Sequence, residues 1–221
     1  MTEIEKLEAG LEYCYDDPEV EARKENAILQ CQKYNSIDDT DYTAQYAQLK
    51  AMLGPLIYSD QDDTLEETVG RLLKEAGLTL SAAESCTGGE ISHLITSIPG
   101  SSAYYLGSVT SYAIAVKEKV LGVPHETIRE HGVVSSEVAA AMAEGVRRLT
   151  GSDFAVSTTG LAGPGGDGVL PAGTVWIGVA GPKGTKTVRK NFRNDRIRNI
   201  ERFSAAALDF LRLSIIEYLT D

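Results

Sequence analysis

Nineteen of the chain's 21 glycines lie beyond Thr64, and they gather where helical and strand-like stretches meet. Glycine at such junctions supplies tight turns and close backbone approaches, so a layered architecture is confined to residues 64–221. The first 63 residues hold only two glycines but six of the ten tyrosines. Charge divides at the same place. Residues 1–63 carry 15 acidic and 5 basic side chains, against 17 and 16 in residues 64–221. The polar stretch Ser59-Asp60-Gln61-Asp62-Asp63 reads as the linker (residues 59–63) between an N-terminal module, 1–58, and the main domain, 64–221.

In the N-terminal module apolar residues recur at helical spacing: Ile4, Leu7, Leu11; Ala27, Cys31, Tyr34; Tyr42, Tyr46, Leu49, Leu53. Two or three short helices are expected. Beyond Thr64 the pattern alternates. Helix is expected over 65–76, closed by Gly77, then strand over 78–84, helix over 88–96 and strand at 109–112. Ser135 caps a helix whose stripe is Val138, Met142, Val146 and Leu149, and Phe154–Thr158 is a strand. A hairpin follows, with strands at 175–179 and 187–192, and Asp195 caps a long terminal helix running to Leu219. Interleaved strands and helices predict an α/β domain, a three-layer α/β/α sandwich with a mixed sheet, beside the small all-helical module.

A net charge of -11 repels a polyphosphate backbone, which argues against nucleic acid and anionic membrane as partners. No apolar run reaches the roughly 20 residues of a bilayer span, and the acidic start MTEIEKLEA is unlike a signal peptide. The expected location is the cytoplasm. Three widely spaced cysteines, no CxxC and three histidines suit reduced thiols without a structural metal.

Two glycine-rich segments stand at carboxyl ends of expected strands, the edge where α/β sheets place ligands. In Glu84-Ser85-Cys86-Thr87-Gly88-Gly89 a hydroxyl meets amides that glycine leaves unobstructed, an arrangement suited to a phosphate or an oxyanion. A tight strand-to-helix turn with Thr87 as N-cap accounts for the same residues without chemistry. Cys86 rivals Ser85 as nucleophile, although small buried cysteines beside turns are commonly inert. The second segment, Thr158-Thr159-Gly160-Leu161-Ala162-Gly163-Pro164-Gly165-Gly166-Asp167-Gly168, is too rich in glycine to order itself unaided. Neither matches GxGxxG or GxxxxGK[ST], so hydride transfer and ATP hydrolysis lose their usual support. Lys117 follows a strand end amid apolar neighbours. By position it is a solvated surface charge; buried, it would serve as a serine's base.

Taken together, ESCTGG at 84–89, IPGSSAYYLGSVTSYAIAVK at 98–117, LGV at 121–123, GVVS at 132–135 and TTGLAGPGG with GTVWIGV across 158–179 resemble the C-terminal domain of the competence/damage-inducible protein CinA, the bacterial nicotinamide mononucleotide deamidase family. The resemblance spans about residues 64–220. It implies hydrolysis of the nucleotide's carboxamide without metal or organic cofactor, with Ser85, Lys117 and Thr159 on the family's catalytic positions. It raises Lys117 from a surface charge to a base. Thr159 would then hold that lysine or relay its proton to ammonia. The expected oxyanion donors are the amides around Thr87, Gly88 and Gly89. Tyr112, Gly160, Gly163, Gly165, Gly166 and Arg196 are the other expected substrate contacts, Arg196 serving the nucleotide phosphate; a surface arginine on a capped helix is its plain alternative.

Two departures bear on turnover. Where the family often reads Tyr-Ser-Asn, this chain has Tyr112-Ala113-Ile114, and the loop at 165–171 is shorter than usual. They support a rival reading, a nucleotide-binding sensor or scaffold without catalysis. The stretch GLEYCYDDPEVEARKENAILQCQKYNS, with LKAMLG, is similar to the N-terminal helical segment of maltose and galactoside O-acetyltransferases. No hexapeptide repeat follows, so acetyl transfer ranks last. The expected partner is a small pyridine nucleotide, and a homo-oligomer, dimer favoured, is the expected assembly, because the module's apolar residues exceed what short helices bury among themselves.

Overall fold

The computed structural model describes Thr2 and residues 17–38, 40–53 and 63–220, in two units, residues 1–61 and 62–221. The expected helical stretch Ile4–Leu11 and most of the 59–63 linker lie outside the described residues. In the first unit, α1 (Pro18–Asn35) starts at Asp17, whose carboxylate accepts the Glu19 and Val20 amides at 3.0 and 3.3 Å. It faces α2 (Tyr42–Leu53), which Gln48 joins to Gln30 at 2.8 Å. The expected stripe does not form a buried seam here. Ala27 and Cys31 are exposed, and Val20 is the buried residue of α1.

The second unit opens with α3 (Leu65–Ala76), fixed by a reciprocal capping box between Thr64 and Glu67 and closed by left-handed Gly77. Then come β1 (Leu80–Glu84), α4 (Glu90–Thr96), β2 (Tyr105–Thr110), α5 (Ile114–Lys119), α6 (His125–His131) and α7 (Ser136–Thr150). The chain finishes with β3 (Phe154–Gly160), the hairpin β4 (Thr174–Gly181) and β5 (Gly184–Asn191), and α8 (Arg196–Thr220). The strands are ordered β2-β1-β3-β4-β5, parallel across the first three and antiparallel beyond β3. This is the mixed-sheet, three-layer α/β sandwich. The α5 and α6 helices were not expected, and β2 ends two residues earlier than the sequence suggested.

One core lies between the sheet and α3, α4 and α8, with Leu73, Ile91, Ile95, Phe203, Leu208 and Leu211 packed on Leu80, Ala82, Val156 and Ile177. The other lies between the sheet and α7, where Val138, Met142 and Val146 meet Ala83 and Ala155. Gly178 lets α7 rest directly on β4, since a Cβ there would stand 2.6 Å from the Ala139 carbonyl oxygen. Leu149, expected in that stripe, is 56% exposed because the stripe rotates off the sheet in the helix's last turn. From β1 the chain crosses through α4 to β2 on one side, then returns over the opposite face through α5–α7 to β3 on the other. The carboxyl edge of β1 and β3 is therefore the crevice of this topology.

Candidate active site

Alternation along β1 decides what meets in that crevice. Leu80, Ala82 and Glu84 point toward α3, α4 and α8, whereas Ala83 points to the α7 side, so the next residue, Ser85, falls on the α5/α7 side. In β3 the same period places Phe154 and Val156 on the first side and Ala155, Ser157 and Thr159 on the second. Glu84 is in register with Thr158, and the Ser85 amide donates to the Thr158 carbonyl at 3.1 Å, which sets Ser85 beside Thr159.

Above that side lies α5, and its Lys117 is fully buried. Lys117 Nζ donates to Ser85 Oγ at 2.8 Å, to the Ser111 carbonyl, and to the Tyr112 carbonyl at 3.5 Å. No carboxylate among the described residues pairs with it. Burial pushes its pKa down to about 8, so the neutral amine is a minor but appreciable species near physiological pH. Cys86 has the opposite fate. Its side chain joins the α4/α8 core, and burial pushes the thiol up to about 12.

The structure brings Ser85 and Lys117 into contact, and sets Thr159 next to them with its hydroxyl donating to the Val133 carbonyl at 2.8 Å rather than to the lysine. Beside that bond is a cavity of about 330 Å³ lined by Val133, Val134, Leu161, Val169, Leu170 and neighbouring polar groups. Thr87 is not the N-cap of α4; Gly89 is, at φ 112, and no side chain caps it. The Thr87 hydroxyl turns inward to Glu84 at 2.8 Å. Of the three expected oxyanion donors, Gly88 gives its amide to the Ser85 carbonyl at 3.2 Å and Gly89 to Glu84 at 3.1 Å. Among the described residues the Thr87 amide has no acceptor, and the Cys86 amide reaches only its own sulfur.

Tyr112, Gly163 and Arg196 also come together. The Arg196 guanidinium donates to the Gly163 carbonyl at 2.6 Å and to the Tyr112 hydroxyl at 3.1 Å, spanning three segments at the exposed rim. The glycine-rich loop does order itself, through Asp167, whose Oδ1 accepts the Val169 and Leu170 amides at 2.9 and 2.7 Å. Gly165 and Gly166 are exposed in this loop, away from Ser85's hydrogen-bonding partners, and Gly160 ends β3 against Val175. Three residues that sequence reasoning passed over complete the frame. Glu84 is fully buried under the serine turn, and Ser111 offers its carbonyl to Lys117 while its amide reaches the Glu84 carbonyl at 2.7 Å. Buried Asn199 ties the Ala162 carbonyl to α8 at 2.9 Å. A charged residue closing an apolar strand was the available signal for Glu84.

Fold and site together define an α/β-sandwich domain with a serine–buried lysine pair at its crevice. The chain belongs to the CinA family: the model of the CinA C-terminal domain matches residues 62–215, and that of the maltose acetyltransferase hexapeptide capping motif matches residues 6–56. A CinA-like protein of Chloroherpeton thalassium is 49% identical over 169 residues, 74% of this chain and 40% of that protein. One from Geobacter sulfurreducens is 39% identical over 211 residues, 94% of this chain and 49% of the relative. The chain thus spans less than half the length of these curated relatives. The crystal structure of a competence-damaged protein (CinA) superfamily member from Klebsiella pneumoniae 700603 is similar, with 32% identity, a TM-score of 0.67, and coverage of 69% of this chain and 96% of that one. The competence/damage-inducible protein CihA from Agrobacterium tumefaciens matches at 32% identity and a TM-score of 0.62, covering 71% and 99%.

Proposed function

We propose that this chain hydrolyses the carboxamide of nicotinamide mononucleotide to the carboxylate, releasing ammonia. The observation that carries this reading is Lys117, fully buried, 2.8 Å from Ser85 Oγ and with its pKa brought down to about 8. A neutral amine whose two hydrogens go to the Ser111 and Tyr112 carbonyls directs its lone pair at the serine hydroxyl. Ser85 Oγ attacks the carboxamide carbon as its proton passes to Lys117 Nζ. The oxyanion takes the amides of Cys86 and Thr87. Lys117 then protonates the departing nitrogen, which leaves as ammonia, and an ester to Ser85 remains. Water, deprotonated by Lys117, cleaves the ester, and the proton returns to Ser85. Arg196 serves the nucleotide phosphate by exchanging its two neutral acceptors for an anion.

The departures at 113 and 114 weigh little against turnover. Ala113 is the N-cap of α5, without a side-chain bond, and Ile114 is 47% exposed. A serine at 113 would cap a helix, an effect worth about 1 kcal/mol of stability. The test is incubation of the purified chain with nicotinamide mononucleotide, measuring ammonia and nicotinic acid mononucleotide together. Equal yields of both are expected; tight nucleotide binding with no ammonia would leave the non-catalytic sensor as the better reading.

A further inference from the structure

One buried charge takes no part in that serine–lysine chemistry. Glu84 is fully buried and forms no ion pair among the described residues. An uncompensated buried carboxylate is costly, and here five donors compensate it. Oε2 accepts the Thr87 hydroxyl at 2.8 Å and the Gly89 and Ile91 amides at 3.1 and 3.0 Å. Oε1 accepts the Ser92 amide at 2.9 Å and the Ser92 hydroxyl at 2.6 Å.

Following every amide of the turn shows what this accomplishes. Ser85 donates to the Thr158 carbonyl, Gly88 to the Ser85 carbonyl and Glu90 to the Thr87 carbonyl. Glu84 takes Gly89, Ile91 and Ser92. From 85 to 92, only Cys86 and Thr87 donate their amides to no other residue among the described residues, Cys86 reaching no further than its own sulfur, and they adjoin Ser85. We infer that Glu84 is a positioning residue: its carboxylate fixes the 85–92 turn so that the Cys86 and Thr87 amides alone remain for the oxyanion formed at Ser85. The inference rests on the deamidase reading for its kinetic consequence, but not for the geometry.

The experiment is Glu84→Gln in the full chain. A glutamine of the same shape turns an NH2 group toward either three donors or two, so the turn must loosen. The expected kcat on nicotinamide mononucleotide falls about 100-fold, the scale of one lost oxyanion donor, while KM stays within about twofold. The alkaline rise in activity is unchanged, because Glu84 makes no bond to Lys117. In parallel, amide exchange by NMR should show Gly89, Ile91 and Ser92 protected in the native chain and less protected in the variant. If Glu84→Gln does not fold, Thr87→Val and Ser92→Ala, each removing one hydroxyl donor, are expected to lower kcat by about tenfold with KM retained. Unchanged kcat in the folded variant or in both substitutes overturns the inference, as does unchanged amide protection. A native chain that releases no ammonia removes the deamidase reading, and the exchange data still decide the role of Glu84.

Discussion

Lys117 Nζ and Ser85 Oγ are 2.8 Å apart, although the two residues sit on different elements and are separated by 32 positions in sequence. The contact exists because β1 turns Ser85 toward the layer that contains α5, and because α5 buries its lysine against two backbone carbonyls instead of a carboxylate. A carboxylate partner would have raised the lysine's pKa; burial without one lowers it.

Activity should therefore rise with pH. With the neutral amine as the proposed base, log kcat/KM is expected to climb about one unit per pH unit below 8 and level off above it. Lys117→Arg should be inactive throughout, because a guanidinium keeps its proton in this range. A flat pH–rate profile between 6 and 9, measured by ammonia release, would contradict the base assignment.

The same burial makes a stability prediction. Unfolded, the lysine holds its proton up to its ordinary value of 10.5; folded, it releases it near 8. The unfolded state thus binds more protons between those values, and stability from this group increases as pH rises from about 8 toward 10.5. Below 8 the cost of the buried ammonium is fully present. Urea unfolding of the native chain and Lys117→Met across this range should show the native chain gaining on the variant as pH increases, and parallel curves would contradict the shift.

Ser85 and Cys86 should separate cleanly. Ser85→Ala is expected to lower turnover by about four orders of magnitude or more in a folded protein. Cys86→Ala should preserve turnover to within a few-fold, at a stability cost of about 1–2 kcal/mol from lost core packing. The thiol pushed up to about 12 supplies no thiolate at neutral pH. Near-normal turnover in Ser85→Ala together with loss of turnover in Cys86→Ala would reverse the assignment.

What the sequence made legible follows from which signals act locally. Thr64, Glu67 and Gly77 bound α3 through bonds a few residues long, and Ser135 caps α7 in the same way. The hairpin is bracketed by Gly181 and Gly184, which pair across its turn. By contrast, α5 and α6 have six and seven residues and no side-chain caps, too short for a periodic stripe. Lys117 consequently looked like a residue after a strand, when it belongs to a helix laid over the crevice. Alternation in β1 tells that Glu84 and Ser85 face opposite sides, but not that an acidic side chain finds five donors there. Asp167 orders the glycine-rich loop through local bonds to Val169 and Leu170, whereas Asn199 reaches the Ala162 carbonyl, a partner 37 positions away that only the fold brings near.

Arg196 should discriminate substrates by their phosphate. Its guanidinium bonds to the Gly163 carbonyl and the Tyr112 hydroxyl, both neutral acceptors, at an exposed rim. An anionic group competes well for that fork. Arg196→Ala is expected to raise KM for nicotinamide mononucleotide about tenfold or more with little change in kcat, and to leave hydrolysis of the corresponding nucleoside unaltered. Equal losses on both substrates, in steady-state assays, would assign Arg196 to loop architecture instead.

The final prediction concerns the division at residue 62. Every group assigned to chemistry, Ser85, Lys117, Thr159 and Arg196 included, belongs to the unit spanning 62–221, which has a core on each side of its own sheet. A chain starting at Asp62 retains the Asp63–Arg71 ion pair at 3.3 Å and the Thr64–Glu67 capping box, so its first helix loses no terminal support. It should fold alone and deamidate with a kcat within about twofold of the full chain. The removed segment holds 13 acidic against 5 basic side chains and leaves Ile28 and Leu29 exposed on α1, a surface more suited to association than to chemistry. Light scattering on both chains is therefore expected to register the truncation more strongly than turnover does. A monodisperse, folded truncation that no longer releases ammonia would show that the helical segment completes the active site, and would move part of the function into residues 1–61.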